Sequence, residues 1–414
     1  MPESPAARLV VPFTGERYAR RTQLGDLIAP PYDVISPAER VTYAARDPHN
    51  IVHLILPEGA GDRYENAARL LAEWREAKVL KADAKPSLTV LRQEFLTPGG
   101  ERRIRTGVIG GVAVESFTEG RVKPHEKTHT GPKEDRLALL RETAAMFEAL
   151  FMVARDGDGR LQRLLDESAE AKPLAAAELG GVTNTLWRVT GGNAEALAAA
   201  AGSETLYIAD GHHRYETAVA YKSENPAAGR VPALIVPVGD PGLVVLPTHR
   251  IVYGKPVDEE GMLGELRERF QMRELPSQAN YLEELGSLHE RGTACVLVLP
   301  GARAVALLLK GGASLGDLPF ANEPVIASLD VARIAEIVVK RLKTAAGDEA
   351  TVHYSADSDQ VIDEVRQGEA SVGVLLNPTG LDQVLAVADA GSVMPPKSTY
   401  FMPKVPSGLV VAGY

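Results

Sequence analysis

One short stretch limits the possible folds of this chain more than any other. TLYIADGHHRYETAVAYKSENP, residues 205–226, passes from an apolar, partly β-branched run through Asp210 and Gly211 into a helical pattern. Tyr215, Val219 and, more loosely, Ala218 and Lys222 fall at helical spacing, and Asn225-Pro226 ends the run. The order is therefore buried strand, tight turn at Gly211, helix. His212, His213 and Arg214 fall in the first helical turn. Free backbone N–H groups and the positive end of the helix dipole are found there, so extra cations are unfavourable unless an anion joins them. A bound phosphate or carboxylate would account for the pattern. A plain helix start, with Asp210 as cap and solvated basic residues, is the structural alternative.

A second dense cluster is KPHEKTHTGPKEDR, residues 123–136. Lys123, His125, Lys127, Lys133 and Arg136 bring cations to a Pro- and Gly-fixed loop that runs into a helix. Such a loop can wrap phosphates, with Glu126, Glu134 and Asp135 holding the cations or ligating Mg2+. The alternative is a solvated charged loop. LPTHRIV places His249 and Arg250 at the end of an apolar strand, and APPYDVI places Asp33 in a rigid proline-fixed turn. Asp33 is a candidate base or Mg2+ ligand, and equally a candidate Asx-turn residue. In PPKSTYF, Lys397 and two hydroxyl residues resemble the end of a Walker A loop, but the glycines of a P-loop are missing. His212 and His213 are adjacent and point about 100° apart on a helix, so they do not share one ion easily. No HExxH, CxxC or GxSxG spacing occurs, which argues against a zinc enzyme or a serine hydrolase of those types.

Length and composition set the frame. The 414 residues suit two or three domains, and 45% hydrophobic with 24% charged residues is an ordinary globular balance. The net charge of −10 argues against general nucleic-acid binding. The single cysteine, Cys295 in TACVLVLP, reads as a buried strand residue, permits no disulfide within the chain and fits a reducing cytoplasm. No signal peptide is evident, and no apolar run approaches the ~18 residues of a membrane span.

Along the chain, Ser36 and Glu39 form a capping-box pattern for a helix through Tyr43. NIVHLILP (50–57) reads as a strand and residues 63–78 as an amphipathic helix. Residues 87–97 and 102–117 read as an antiparallel pair turned at PGGE, and RLALLRETAAMFEALF (136–151) as one helix. The character shifts near Lys255-Pro256. The expected fold class is α/β, with an N-terminal domain over 1–255 and a smaller C-terminal α/β domain over 256–414 that ends in a proline-punctuated tail.

The set PPYDVIS, NIVHLILP, KPHEKTHTGPKEDR, YIADGHHRYETA, LPTHR and MPPKSTYF, in that order over nearly the whole chain, resembles the bacterial family catalogued as domain of unknown function 1015. The resemblance implies a mixed α+β core like that of the ParB/sulfiredoxin-like superfamily, with inserts. One branch of that superfamily comprises ADP-dependent free-serine kinases, and a staphylococcal serine kinase tied to siderophore synthesis is a relative. By this resemblance Gly211, His212, His213 and Arg214, with Asp210 beside them, hold nucleotide phosphates. The nucleotide would be ATP or ADP, with CTP possible, and Mg2+ would accompany it. Those kinases use an early glutamate as base; here the acidic candidate is Asp33, with His213 as a second catalytic candidate. Where the family leads one to expect Ser-Pro, this chain has Glu148-Ala149, which looks helix-forming. Two functions follow as expectations. One is transfer of a phosphoryl group to a small hydroxyl-bearing metabolite. The other is a nucleotide-binding switch or ligand-binding module without transfer. The acidic charge and the lack of a basic recognition helix favour the first, with a small molecule and a nucleotide as partners and neither nucleic acid nor membrane.

Overall fold

The computed structural model describes residues 8–126, 130–276 and 279–414. The chain divides into two compact units. The first comprises residues 1–124, 128–244 and 403–414; the second comprises 125–127 and 245–402.

The first unit is built on a nine-stranded mixed sheet. Its strands are β1 (Val10–Val11), β2 (Ser87–Leu96), β3 (Arg102–Ala113), β4 (Val122–Lys123), β5 (Leu150–Ala154), β6 (Ala175–Leu179), β7 (Val182–Thr190), β8 (Leu206–Asp210) and β9 (Arg230–Pro237). They run in the order β4-β8-β5-β9-β3-β2-β7-β6, with β1 on β3. Only β4 with β8 and β5 with β9 pair in parallel among these. The hairpin β2–β3 closes at Leu96 opposite Arg102, where the PGGE turn was expected. Helices α1 (Pro37–Arg46), α2 (Arg63–Glu76), α3 (Thr130–Thr143), α4 (Gly191–Ala201) and α5 (His212–Glu224) belong to this unit. The expected capping box is present: Ser36 Oγ accepts from the Glu39 amide, and Glu39 returns a carboxylate to the Ser36 amide. Leu197, Ala198 and Ala201 of α4 and Tyr215, Ala218 and Tyr221 of α5 share a core with Leu88, Val90, Val108, Leu206 and Ile208 of the sheet. That packing fixes β8 and α5 on either side of Gly211.

Two expected elements differ. NIVHLILP is not a strand; Val52–Ile55 is a short helix. Asn50, fully buried, starts it by accepting from the Val52 amide at 2.9 Å while donating to the carbonyls of Asp26 and Ile28 at 2.7 and 3.1 Å. A short, mostly apolar run fits a buried helix turn as well as a strand, and here the side chain of Asn50 decides. The helix expected to reach residue 151 ends at Thr143. Ala144 takes φ +44° and turns the chain into the short strand Ala145–Met146. Glu148, at a bend, and Ala149 lead into β5 and are not helix.

The second unit has a six-stranded antiparallel sheet. Its strands are β10 (His249–Tyr253), β11 (Phe270–Leu275), β12 (Ala294–Leu299), β13 (Arg303–Leu309), β14 (Thr351–Ser355) and β15 (Val372–Leu376), in the order β11-β13-β12-β15-β10-β14. Cys295 is buried in β12, and burial pushes its thiol pKa up. Helices α6 (Tyr281–His289) and α7 (Ser358–Arg366) supply Leu285, Leu288, Val361 and Val365 to the core beneath this sheet. Strand β10, which carries the THR motif, thus lies in the second sheet, between β14 and β15.

The last twelve residues return to the first unit. Val405, Leu409, Val410 and Val411 are buried. The Ser407 amide donates to the Ala29 carbonyl at 2.8 Å, the Gly408 amide to Phe147 at 2.9 Å, and Val411 and Glu16 exchange backbone bonds at 2.9 and 2.8 Å. Ala412 and Gly413 pair with Met146 and Ala145.

Candidate functional site

The turn between β8 and α5 is the centre of the first unit's polar chemistry. The register of β8 against β5 shifts between Ile208 and Asp210, a bulge that re-aims the end of the strand. Gly211 follows at φ +95°, and a Cβ there would lie 3.1 Å from the Arg214 guanidinium. Glycine is thus needed both for the left-handed backbone and for the close approach of Arg214. Gly211 provides no side-chain cap, and the first turn of α5 has no acidic residue. His212 is buried and His213 half-buried in that turn.

Arg214 points inward. It is buried, donates Nη2 to Asp210 Oδ2 at 2.7 Å and Nη1 to the Ala149 carbonyl at 3.0 Å. Burial alone would depress its pKa; the nearby Glu148, Asp210 and Asp33 carboxylates outweigh that and raise it. The space bordered by Arg136, Glu148 and Arg214 is about 30 Å3, room for roughly one water. Arg214 is thus a buried, paired part of the framework.

Around it stand groups from distant parts of the sequence. Lys404 Nζ donates to Asp210 Oδ1, so Asp210 lies between two cations. Glu148, buried, accepts from the Tyr32 amide at 2.9 Å and the Ser407 hydroxyl at 3.1 Å. Asp33 is exposed in the 3-10 turn Tyr32–Val34, near enough to Arg214 and Tyr32 to act on both electrostatically. Among the described residues its carboxylate is in no ion pair. Arg136 is buried as well: its Cζ lies 4.1 Å from the Tyr32 ring centroid, Nε donates to Asp135 Oδ2 at 2.9 Å, and Nη1 donates to the Ile55 carbonyl at 2.7 Å. Lys133 of α3 is ion-paired with Glu216 of α5. Lys123 lies 6.0 Å from the centre of the Tyr207 ring.

Beneath this layer Arg105 of β3 is fully buried, 4.3 Å over the Phe151 ring. It donates to Gln93 Oε1 and, at 2.6 Å, to the Pro403 carbonyl. Gln93 donates in turn to Asn184 at 2.9 Å and to the Lys404 carbonyl at 3.2 Å. Burial lowers the Arg105 pKa, while Asp240 and Asp210 oppose the shift. This buried network holds the backbone on which Lys404 is carried. Lys404, Glu148 and Arg105 were not among the candidate site residues read from the sequence. Gln93 and Arg105 lie among other polar strand residues, Arg92 and Glu94 beside one and Arg103 and Thr106 near the other, so no local pattern marks them.

The second cluster is divided between the units. Lys127 lies outside the described residues. His125 and Glu126 belong to the second unit. His125 is buried, its Nε2 is 3.1 Å from Thr399 Oγ1, and its carbonyl accepts from the Met394 amide at 2.8 Å. Glu126 Oε1 accepts from the Lys397 amide at 3.0 Å. His249 is buried, and its Nδ1 accepts from the Leu376 amide at 3.1 Å, which puts the ring proton on Nε2. Burial, with Arg250 adjacent, lowers its pKa to about 4. Arg250 is buried, donates to the Thr248 carbonyl and lies 5.3 Å over the Tyr354 ring. Burial pulls its pKa to about 10, against the pull of Tyr354 and Glu126. In the second unit these side chains fasten strands and the 394–399 segment to one another.

Among the described residues no group of three or more His, Cys, Asp or Glu side chains is disposed to hold a metal ion. No described helix is long and apolar enough to cross a membrane.

The family model described as "Protein of unknown function (DUF1015)" matches residues 10–332, and the chain belongs to that family. No curated protein matches the sequence. Among solved structures, a free serine kinase in complex with AMP is 16% identical with a TM-score of 0.38, the match covering 72% of this chain and 91% of that chain. SbnI with C-terminal truncation from Staphylococcus aureus is 13% identical with a TM-score of 0.38, covering 72% and 87%. A conserved hypothetical protein from Pyrococcus furiosus is 16% identical with a TM-score of 0.37, covering 72% and 93%.

Proposed function

We propose that this member of the DUF1015 family binds a nucleotide by its phosphates at the head of α5 and transfers a phosphoryl group to a small hydroxyl-bearing metabolite. The observation that carries the reading is the uncapped start of α5 after Gly211, with Asp210 held between Arg214 and Lys404 and the exposed Asp33 close by. An uncapped helix start offers backbone donors and a positive dipole to an anion. His213, half-buried in the same turn, would donate a ring N–H and Lys404 a charge-assisted bond to phosphate oxygens. Arg214 acts indirectly, by fixing Asp210 and the turn.

In the transfer step the acceptor oxygen forms a bond to the terminal phosphorus while the bond from phosphorus to the nucleotide oxygen breaks. The hydroxyl proton passes to Asp33, whose carboxylate is open to solvent. Mg2+ would neutralise phosphate charge on binding. It commonly needs only one or two carboxylates besides phosphate and water, and Asp33 and Glu148 are the nearby candidates.

Two variants separate binding from chemistry. Lys404→Met keeps Asp210 paired with Arg214 and should weaken ATP, ADP or CTP binding about tenfold, as expected for one charge-assisted bond. Asp33→Asn should bind nucleotide like the wild type and lose at least about a hundredfold in transfer to amino acids and small alcohols. Calorimetric titration and a phosphate-transfer assay read the two. Absence of nucleotide binding to the wild type, or a Lys404→Met variant that binds unchanged, refutes the assignment.

A further inference from the structure

A cavity of about 630 Å3 lies elsewhere on the first unit, and nothing in the proposed reaction uses it. Its wall includes Phe13, Glu115, Arg121, Lys222, Arg230 and Tyr414. A volume of this order suits a small metabolite. Lys222 lies eight residues beyond Arg214 on α5, about 12 Å further along the helix axis, so the two sites use different ends of one helix.

The charges of the wall are built in. Glu115 is buried and held by Arg121, with Nε to Oε2 at 3.0 Å. The Glu115 amide is fixed by the Tyr215 hydroxyl at 3.0 Å, and Tyr215 stacks on Phe117 at 5.3 Å. Lys222 donates to the Val114 carbonyl at 2.6 Å. Arg230 reaches the carbonyls of Arg8 and Gly111 at 2.9 and 3.1 Å. Its own carbonyl accepts from the Tyr414 hydroxyl at 2.8 Å. Burial and then the charge of Arg121 lower the Arg230 pKa, so two guanidinium groups act on each other across this wall. Three cations, Arg121, Lys222 and Arg230, stand against two carboxylates, Glu115 and Glu119, on a chain whose net charge is −10. The three cations offer charge-assisted bonds to a single carboxylate, while Glu115 and Glu119 disfavour a phosphate dianion. Phe13 and Tyr414 add aromatic surface for an apolar body.

We propose that this cavity is a second ligand site, which takes a small organic monocarboxylate with its charged end toward Lys222, Arg121 and Arg230.

The probe is 4-fluorobenzoate, observed by 19F NMR with the full chain, with neutral 4-fluorobenzamide as control. Line broadening is expected for the carboxylate and not for the amide. Lys222→Glu, an exposed position, should weaken binding at least tenfold. Ala227→Trp, at an exposed position on the wall, should abolish it by filling the mouth. Thermal melts check that both variants fold, and neither touches the groups assigned to nucleotide. The proposal is overturned by no broadening at millimolar probe, by equal broadening with the amide, or by folded variants that bind unchanged. Competitive displacement by ATP also overturns it, because the signal would then belong to the head of α5.

Discussion

At the scale of single residues, Arg214, the most conspicuous cation of the motif, is turned into the framework. The guanidinium is buried against Asp210 and the Ala149 carbonyl. Removing it takes a buried cation from Asp210 and leaves Glu148 facing an emptied space. Loss of one partner from a buried ion pair costs about 3–5 kcal/mol. Arg214→Ala should therefore lower the denaturant midpoint strongly even without nucleotide, and Arg214→Lys should recover only part of the loss because a lysine cannot bridge the carboxylate and carbonyl with a planar fork. Chemical denaturation of the apo variants tests this; a wild-type midpoint for Arg214→Ala would return the residue to a purely ligand-binding role.

At the scale of elements, His249 ties β10 to the end of β15 through the Leu376 amide. Its folded pKa of about 4 lies below the ordinary value of 6.5, so the folded unit favours the neutral ring. Between those two values the unfolded chain binds the extra proton and the folded chain does not. Stability from this histidine is thus complete above about pH 6.5 and falls as pH drops toward 4, by about 3 kcal/mol in all. His249→Gln, which keeps an acceptor for the amide, should flatten that part of the stability–pH curve, measured by denaturation at stepped pH. The sequence reading reached these elements unevenly. Strand β8, the turn at Gly211 and helix α5 were legible because β-branched residues, glycine and helical spacing change over within a few positions. The hairpin β2–β3 was legible for a similar reason, its turn residues. Val52–Ile55 was not, since its three buried apolar residues, Val52, Leu54 and Ile55, form too short a run to show a period. The end of α3 was hidden because Ala144 adopts a left-handed backbone without the glycine that usually signals it. In the candidate site Asp210, Gly211 and Arg214 were legible as one cluster. Their partners Glu148 and Lys404 were not, because only tertiary pairing brings them to that cluster.

At the scale of the whole chain, the first unit is discontinuous in sequence, and its final segment is part of its core. Deleting residues 403–414 removes Val405, Leu409, Val410 and Val411 from buried positions. At about 1.5–3 kcal/mol each, their loss is comparable with the whole stability of an ordinary domain, about 5–15 kcal/mol. A chain ending at Met402 should lose the cooperative unfolding of the first unit while Cys295, in the second, stays protected from thiol reagents. Differential scanning calorimetry with thiol labelling distinguishes the two, and an unchanged first transition would count against the role given to this segment. The same arrangement has a temporal consequence. Asp210 meets Lys404 across 194 residues of sequence. During synthesis the strand, the glycine turn and the helix leave the ribosome long before the lysine exists. A chain that stops before Lys404 would carry Asp210 and the glycine turn without this partner.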